Sequence, residues 1–413
     1  MSVHLPEAIA ATSPVSAPSW LVVNALGLAQ IFAWGSSYYL PAVLAQPISR
    51  DMNWPFAWVV GGLSLGLLAG SLASPHVGAA IERHGGRLVL AFSAVAIGTG
   101  QVGLAIAPNL SVYAFAWLVM GVGMAAGLYD ANFAVLGCLY GLNARSAITT
   151  VTLYGGFAST VCWPLSAFLV SEIGWRGACL TYATIQIGVA LPLYLSVLPR
   201  SGSPSRAHLH EGAAAEMQRT RKPSLALLIL LAATLTLSAA LSSLMSTHLL
   251  TLLQASGFAL SAAVGLGALA GPSMVAARVI EMAIARHHHP IWTQFGSASF
   301  VAIGLAGLWA KLPLIPAALV SYGAGLGLES IAVGTLPLSL FGASGYATLI
   351  GRLATSSWLA QAAAPWIGAL LLERRGAHAT LAVVSGVALV NVALTVGLGW
   401  MIFSTKLPRR VLP

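Results

Sequence analysis

Long apolar runs follow one another along most of this chain, and most of its charges fall in the gaps between them. A run of roughly 20 apolar residues is long enough to cross the hydrocarbon of a bilayer as a helix. Twelve such segments can be placed at 20–45, 55–80, 88–107, 111–138, 147–170, 176–198, 224–250, 259–284, 292–310, 313–340, 346–371 and 377–403. Together they use most of the 413 residues and leave no room for a large soluble domain. The chain is 58% hydrophobic and 7% charged, against about half and a quarter for an ordinary soluble protein. A mean hydropathy of +0.85 means that lipid must solvate surface that no core could hide. Only helices or closed barrels satisfy their backbone there, and segments of this length require helices. The expected fold is therefore all-α, with twelve transmembrane helices.

The charges set the topology. With the N-terminus inside, cytoplasmic segments carry Arg83, Arg87, Arg145, Arg200, Arg206, Arg219, Arg221, Lys222, Arg286, Lys406, Arg409 and Arg410. The other side carries Arg50, Arg176, Lys311, Arg374 and Arg375. Basic residues collect on the cytoplasmic side, so both termini are expected inside an inner (plasma) membrane. The net charge of +9 follows from this pattern and does not call for nucleic acid. Residues 1–19 read as a disordered cytoplasmic tail, 20–198 as an N-terminal bundle and 199–223 as a cytoplasmic linker. Residues 224–403 read as a C-terminal bundle and 404–413 as a second cytoplasmic tail. Residues 1–18 contain no Lys or Arg, so they lack the basic start of a secretory signal.

The halves resemble repeats. GVGMAAGLYD from Gly121 and GAGLGLES from Gly323 are offset by 202 residues and lead to Gly174 and Gly376 at the same offset. Ala69-Gly70 and Ala270-Gly271 are offset by 201. Glycine is common in membrane helices, so chance similarity is the competing explanation.

A dense group of charges and glycines is GAAIERHGGR, Gly78 to Arg87, at the turn between the second and third segments. It resembles the corresponding loop of the major facilitator superfamily of secondary transporters. The resemblance implies parallel six-helix repeats, transport by alternating access and an ion-pair latch on the cytoplasmic side. Gly78 would pack on helix 11, Glu82 stands where the family usually has Asp, and Arg83 and Arg87 occupy the basic positions. Ordinary positive-inside topology also explains these charges. The matching loop of the second half, AIARHHHP, has lost the pattern. QIFAWGSSYYLP, STHLLTLL and GWRGACLTYA are similar to bacterial members near the monocarboxylate and oxalate–formate carriers. In GPSMVAARVIE, Arg278 matches a substrate-binding Arg of the monocarboxylate carriers, whereas Met274 replaces their Asp.

Ionisable residues within a membrane segment cost roughly 2.5–3.5 kcal/mol and generally face a cavity or a partner. Arg278 and Glu281, three apart on one helix, allow either a local ion pair or an Arg278 free to hold a carboxylate in its planar fork of donors. Asp130 reads as a proton-coupling carboxylate or as a structural partner of Arg145 or Arg278. Glu329 is a second coupling candidate, and Arg352 reads as a snorkelling or bundle-locking residue. His248 reads as an extracellular gate or proton relay, or as an interfacial hydrogen-bonding group. Trp34, Tyr38 and Tyr154 read as cavity-lining or as packing residues. Pro164 and Pro365 are expected to kink the fifth and eleventh segments. His287, His288 and His289 do not suit one tetrahedral metal site, so neither metal nor cofactor is expected.

The functional expectation is a monomeric, proton-coupled secondary transporter of a small organic anion, best a monocarboxylate. The alternative is efflux of toxic small molecules or trivalent metalloids such as arsenite, with Cys138, Cys162 and Cys179 as thiol ligands. A receptor or sensor without transport is the alternative of another class. No hydrolase or nucleotide-binding motif points to an enzyme.

Overall fold

The computed structural model describes residues 18–200, 224–310 and 314–404. The linker, most of both tails and Lys311 lie outside the described residues. Fifteen α-helices build the spans. In the first half they are α1 (Trp20–Gly35), α2 (Pro41–Met52), α3 (Phe56–His84), α4 (Gly86–Ile106), α5 (Leu110–Gly127), α6 (Tyr129–Tyr140), α7 (Ala144–Gly156), α8 (Ala158–Ile185) and α9 (Leu191–Val197). The second half has α10 (Leu225–Ala255), α11 (Leu260–Gly267), α12 (Ala270–Ile284), α13 (Pro290–Trp309), α14 (Ile315–Phe341) and α15 (Tyr346–Ser404).

Eight continuous helical runs among the described residues are long and apolar enough to cross a membrane. One run holds spans four to six, another holds spans eleven and twelve, and span one is split between α1 and α2. The total is twelve. We call the membrane face at Gly85, between spans two and three, the near face, and the opposite one the far face.

Two turns show the internal repeat most directly. Spans five and six turn at Gly174 (φ 72°, ψ 171°), and spans eleven and twelve turn at Gly376 (φ 75°, ψ 174°). Only glycine adopts this region at low cost. The packing repeats as well. Gly121 of span four lies against Gly66 of span two, and Gly323 of span ten lies against Ala270 of span eight. Gly123 then faces Ile97 of span three, as Gly325 faces Val301 of span nine. The two glycine stretches seen in the sequence thus seat spans four and ten in matching ways.

Pro164 and Pro365 also occupy matching places, but their surroundings differ. Each removes the N–H that would bond the carbonyl four residues back. The Ser243 hydroxyl takes the Gln361 carbonyl at 2.8 Å. Among the described residues no side chain does the same for Thr160.

The apolar cores reveal how the bundles meet. One cluster joins Phe133 and Ile148 of the first bundle to Leu338, Tyr346 and Ile350 of the second, in the near half. A smaller one joins Leu67 and Met124 to Ala354 and Trp358. In the far half, Leu44, Trp117 and Tyr182 belong to a cluster made only of first-bundle residues. Leu252, Leu305 and Leu381 belong to one made only of second-bundle residues. The bundles are welded near the near face and keep separate cores toward the far face.

Candidate functional site

Span one breaks between α1 and α2, where Gly35-Ser36-Ser37 leads to Pro41. Span four breaks at Leu128, whose backbone is extended (φ −81°, ψ −165°). Broken backbone at membrane depth must be re-satisfied by protein. Buried amide side chains do this. Gln101 donates to the Ser36 carbonyl, and Gln186 Nε2 donates to Ser36 Oγ at 2.9 Å. Gln30 Nε2 and Asn132 Nδ2 donate to the Gly127 carbonyl at 2.6 and 2.7 Å. These four amides were not singled out from sequence. The readable signal was their type, since each is a polar amide inside an apolar span.

The two breaks present aromatic rings to one another. The Trp34 ring lies 5.3 Å from Tyr38, 5.8 Å from Tyr39 and 4.8 Å from Tyr129. Tyr39 also meets Trp163 of span five edge-on at 6.1 Å. Trp34 Nε1 donates to Gln30 Oε1 at 3.0 Å, so the amide that mends span four also orients the indole. Trp34 and Tyr38 therefore stand in one aromatic group. Tyr39, Tyr129 and Trp163 complete it without having been selected from sequence. Tyr154 stands apart: its hydroxyl donates to Asn24 Oδ1 and its ring packs on Gly27, bracing span five on span one.

The second bundle brings charge to this group. Arg278 of span eight is 4% exposed. Its Nε donates to Ser330 Oγ at 3.0 Å, and its Nη1 donates across the bundle boundary to the Thr152 carbonyl at 2.9 Å. Tyr129 donates to the same carbonyl. Gly156 leaves room for the guanidinium beside span five, and Tyr39 and Tyr129 lie within its electrostatic reach. The local Arg278–Glu281 pair is not formed, because Arg278 turns toward span five while Glu281 faces span nine and the near-face loops. Among the described residues Arg278 has no ion-pair partner. Glu329 of span ten is 9% exposed and likewise has no hydrogen bond or ion pair among them. It lies within electrostatic reach of Tyr38 and Tyr322.

Asp130 is placed by the break in span four, in the first turn of α6. Its partner is neither Arg145 nor Arg278. Trp358 of span eleven donates to it from Nε1 at 2.9 Å, again across the bundle boundary.

Two contacts close the near face. On one side, Gly78 packs on Ala347 and Gly351 of span eleven, and Glu82 Oε1 accepts from the Gly345 backbone N–H at 3.2 Å. No ion pair forms within the loop. Arg87 instead donates to the Leu195 carbonyl of span six at 3.0 and 2.6 Å, and Arg83 is exposed without a hydrogen bond among the described residues. The expected ion-pair latch is therefore a carboxylate set on the first turn of span eleven, where helix N–H groups lack internal partners. On the other side, Glu281 accepts from Thr293 at 2.7 Å and pairs with Arg145 at 3.5 Å and His288 at 3.4 Å. Arg145 also donates to the His288 carbonyl at 2.7 Å. The loop that lost the sequence pattern thus holds the ion pairs.

The remaining residues are accounted for locally. His248 contacts the Pro365 carbonyl at 2.8 Å inside the second bundle. His287 is exposed, His288 meets Glu281, and His289 accepts from the Ile291 N–H, so the three imidazoles diverge. Arg352 is exposed at the near end of span eleven. Cys162 and Cys179 lie in the far-half core of the first bundle and Cys138 beside the near-half core. No group of three metal-ligating side chains occurs among the described residues.

Two pseudo-symmetric six-helix bundles, with broken helices and unpaired charge at their boundary, define a membrane transporter of the parallel-repeat type. The Major Facilitator Superfamily sequence model matches residues 26–351, and the chain belongs to that superfamily. Among solved structures it is similar to the proton:xylose symporter XylE, with a TM-score of 0.69 and 12% identity over 91% of this chain and 94% of that one. It is also similar to the human organic anion transporter MFSD10 (TETRAN), with a TM-score of 0.67 and 17% identity over 92% of this chain and all of that one. At such identities the likeness concerns the fold. In sequence it is 27% identical over 196 residues to the transcription regulatory protein OpdE of Pseudomonas aeruginosa. It is 33% identical over 187 residues to a 38 kDa protein encoded in the 23S RNA operon of Thermoproteus tenax. These alignments cover 47% and 43% of this chain, and each spans 48% of the relative.

Proposed function

We propose that this protein is a proton-coupled secondary transporter of small organic anions, working by alternating access and close to the monocarboxylate and oxalate–formate carriers. One observation carries the reading. Arg278 is a buried guanidinium at the bundle boundary, beside an aromatic group, with no carboxylate among the described residues paired to it. A buried charge without a counter-ion is costly, and an anionic cargo supplies one. The guanidinium suits a carboxylate because its planar fork donates two parallel hydrogen bonds. Trp34, Tyr38, Tyr39 and Tyr129 then form the wall against which the cargo sits.

Glu329 and Asp130 are assigned the protons. Glu329 is the stronger assignment, since it is buried and unpaired, whereas Asp130 already serves Trp358. Gly78, Glu82, Arg145 and Glu281 are assigned to the near-face closure, which we place in the cytoplasm with both termini. The protein is taken to act as a monomer in the inner membrane. The test is uptake of radiolabelled short carboxylates into proteoliposomes under an imposed pH gradient. Arg278→Lys keeps the charge but loses the fork, and uptake unchanged in that variant sinks the carboxylate assignment.

The Pseudomonas aeruginosa relative is named a transcription regulatory protein, which supports a second reading, a membrane sensor that binds solute without moving it. Binding of carboxylates with no flux in the same proteoliposomes would favour it.

A further inference from the structure

Of the residues that follow Gly156 in span five, the site described so far uses Trp163 alone. Gly156 touches the Arg278 guanidinium and Val275 of span eight, so span five faces the other bundle at this residue. Thr160, Trp163 and Ala167 lie four, seven and eleven residues further along, which keeps them on the same helix face. Together with Ala42 and Val43 of α2, these three line an open cavity of 520 Å³ toward the far face. Its lining is mostly apolar. Trp163 belongs both to this cavity and, through Tyr39, to the aromatic group beside Arg278. The rise of a helix puts Trp163 about 10 Å from Gly156 along the span.

A pocket of this size matches those that hold organic ligands with a few polar anchors. Thr160, at its edge, is about one helical turn from Gly156, which touches the guanidinium. In the far half the two bundles have separate cores, so nothing from the second bundle fills it.

We infer that the cargo is an amphipathic carboxylate with an aryl or bulky alkyl body, its carboxylate held by Arg278 and its apolar body lying along span five against Trp163 and Ala167. This inference rests on the anion reading and narrows its substrate class. Acetate or formate would fill the Arg278 end alone and leave the cavity to water. An aromatic acid would exchange that water for apolar contact and for edge contacts with Trp163.

The test is a binding series on the purified full-length protein in lipid nanodiscs, read by calorimetry. The probes are acetate, benzoate, 3-phenylpropionate and the neutral 3-phenylpropanol. Burial of the phenyl group predicts 3-phenylpropionate binding at least about tenfold more tightly than acetate. Phenylpropanol should bind weakly or not at all. Ala167→Trp should fill the pocket, removing the advantage of 3-phenylpropionate while acetate affinity stays within about twofold. Trp163→Ala, which adds no bulk and cannot clash, should reduce the same advantage several-fold. The inference is overturned if acetate and 3-phenylpropionate bind equally, or if neither variant changes their ratio. If no carboxylate binds at all, or Arg278→Lys has no effect on any, the anion reading itself is wrong and the pocket loses its cargo with it.

Discussion

The two bundles share a scaffold and divide the chemistry. The first contributes broken helices, mended by Gln30, Gln101 and Asn132 while Gln186 holds the Ser36 hydroxyl, and the aromatic group that those breaks expose. In the second, spans seven and ten run unbroken, as α10 and α14, and span ten supplies Glu329 while span eight supplies Arg278. Both copies keep the glycine turn and the glycine seat that position their spans. Backbone geometry allows few residues at those places. Side chains at the bundle boundary are under no such constraint and have diverged. The near-face closures diverged as well: Glu82 rests on the Gly345 backbone N–H, whereas Glu281 sits in an ion-pair group with Arg145 and His288.

The comparison breaks first at Arg278. If the second bundle holds the charge that matters, Arg278→Ala should lower carboxylate uptake by about 100-fold or more, since a buried charged hydrogen-bonding group is worth roughly 1.5–3 kcal/mol per contact. Uptake assays at saturating pH gradient check this. Trp34→Phe, in the first bundle, should cost no more than about tenfold in affinity, because the ring remains and only the hydrogen bond to Gln30 is lost.

The two carboxylates come next. Glu329→Gln should abolish acceleration of uptake by an inward proton gradient while leaving carboxylate exchange between the two sides intact. Asp130→Asn should leave most of the proton dependence in place and weaken the contact to Trp358. Parallel measurements of gradient-driven uptake and exchange separate the two, and the reverse outcome would move the proton to the first bundle.

A smaller effect tests the two closures. Glu82→Ala removes one carboxylate from a helix terminus, and Glu281→Gln leaves Arg145 without its counter-ion. The second should loosen the near face more, because breaking a partly buried ion pair strands a charge. Cysteine accessibility at the near face, read in variants with one introduced thiol, should rise several-fold for Glu281→Gln and less for Glu82→Ala.

The smallest expected difference concerns the shared scaffold. Gly174→Ala and Gly376→Ala should each destabilise the protein by about 1–3 kcal/mol, because both turns sit in a region that only glycine occupies easily. Thermal unfolding in detergent should report similar losses for the pair. A large inequality would mean that the two turns are not equivalent.

Much of this was legible in the sequence. Hydropathy gave the twelve spans, because lipid forces each crossing to satisfy its own backbone within one helix. The glycine offsets gave the repeat, because backbone geometry leaves a residue signature. Intramembrane charge pointed to Arg278, Asp130 and Glu329, because such charge is too costly to stand without cause. What the sequence could not decide was partnership. Arg278 had Glu281 three residues away on its own helix, yet it bonds Thr152, which is 126 residues distant. Asp130 met Trp358 and not an arginine, and Arg87 met a carbonyl of span six and not Glu82. Tyr154 and Tyr129 look alike in sequence, but only Tyr129 follows a helix break that turns it toward the boundary. Local spacing fixes which residues share a helix face. Which face meets which depends on how two bundles close on each other, and that is a property of the tertiary structure alone.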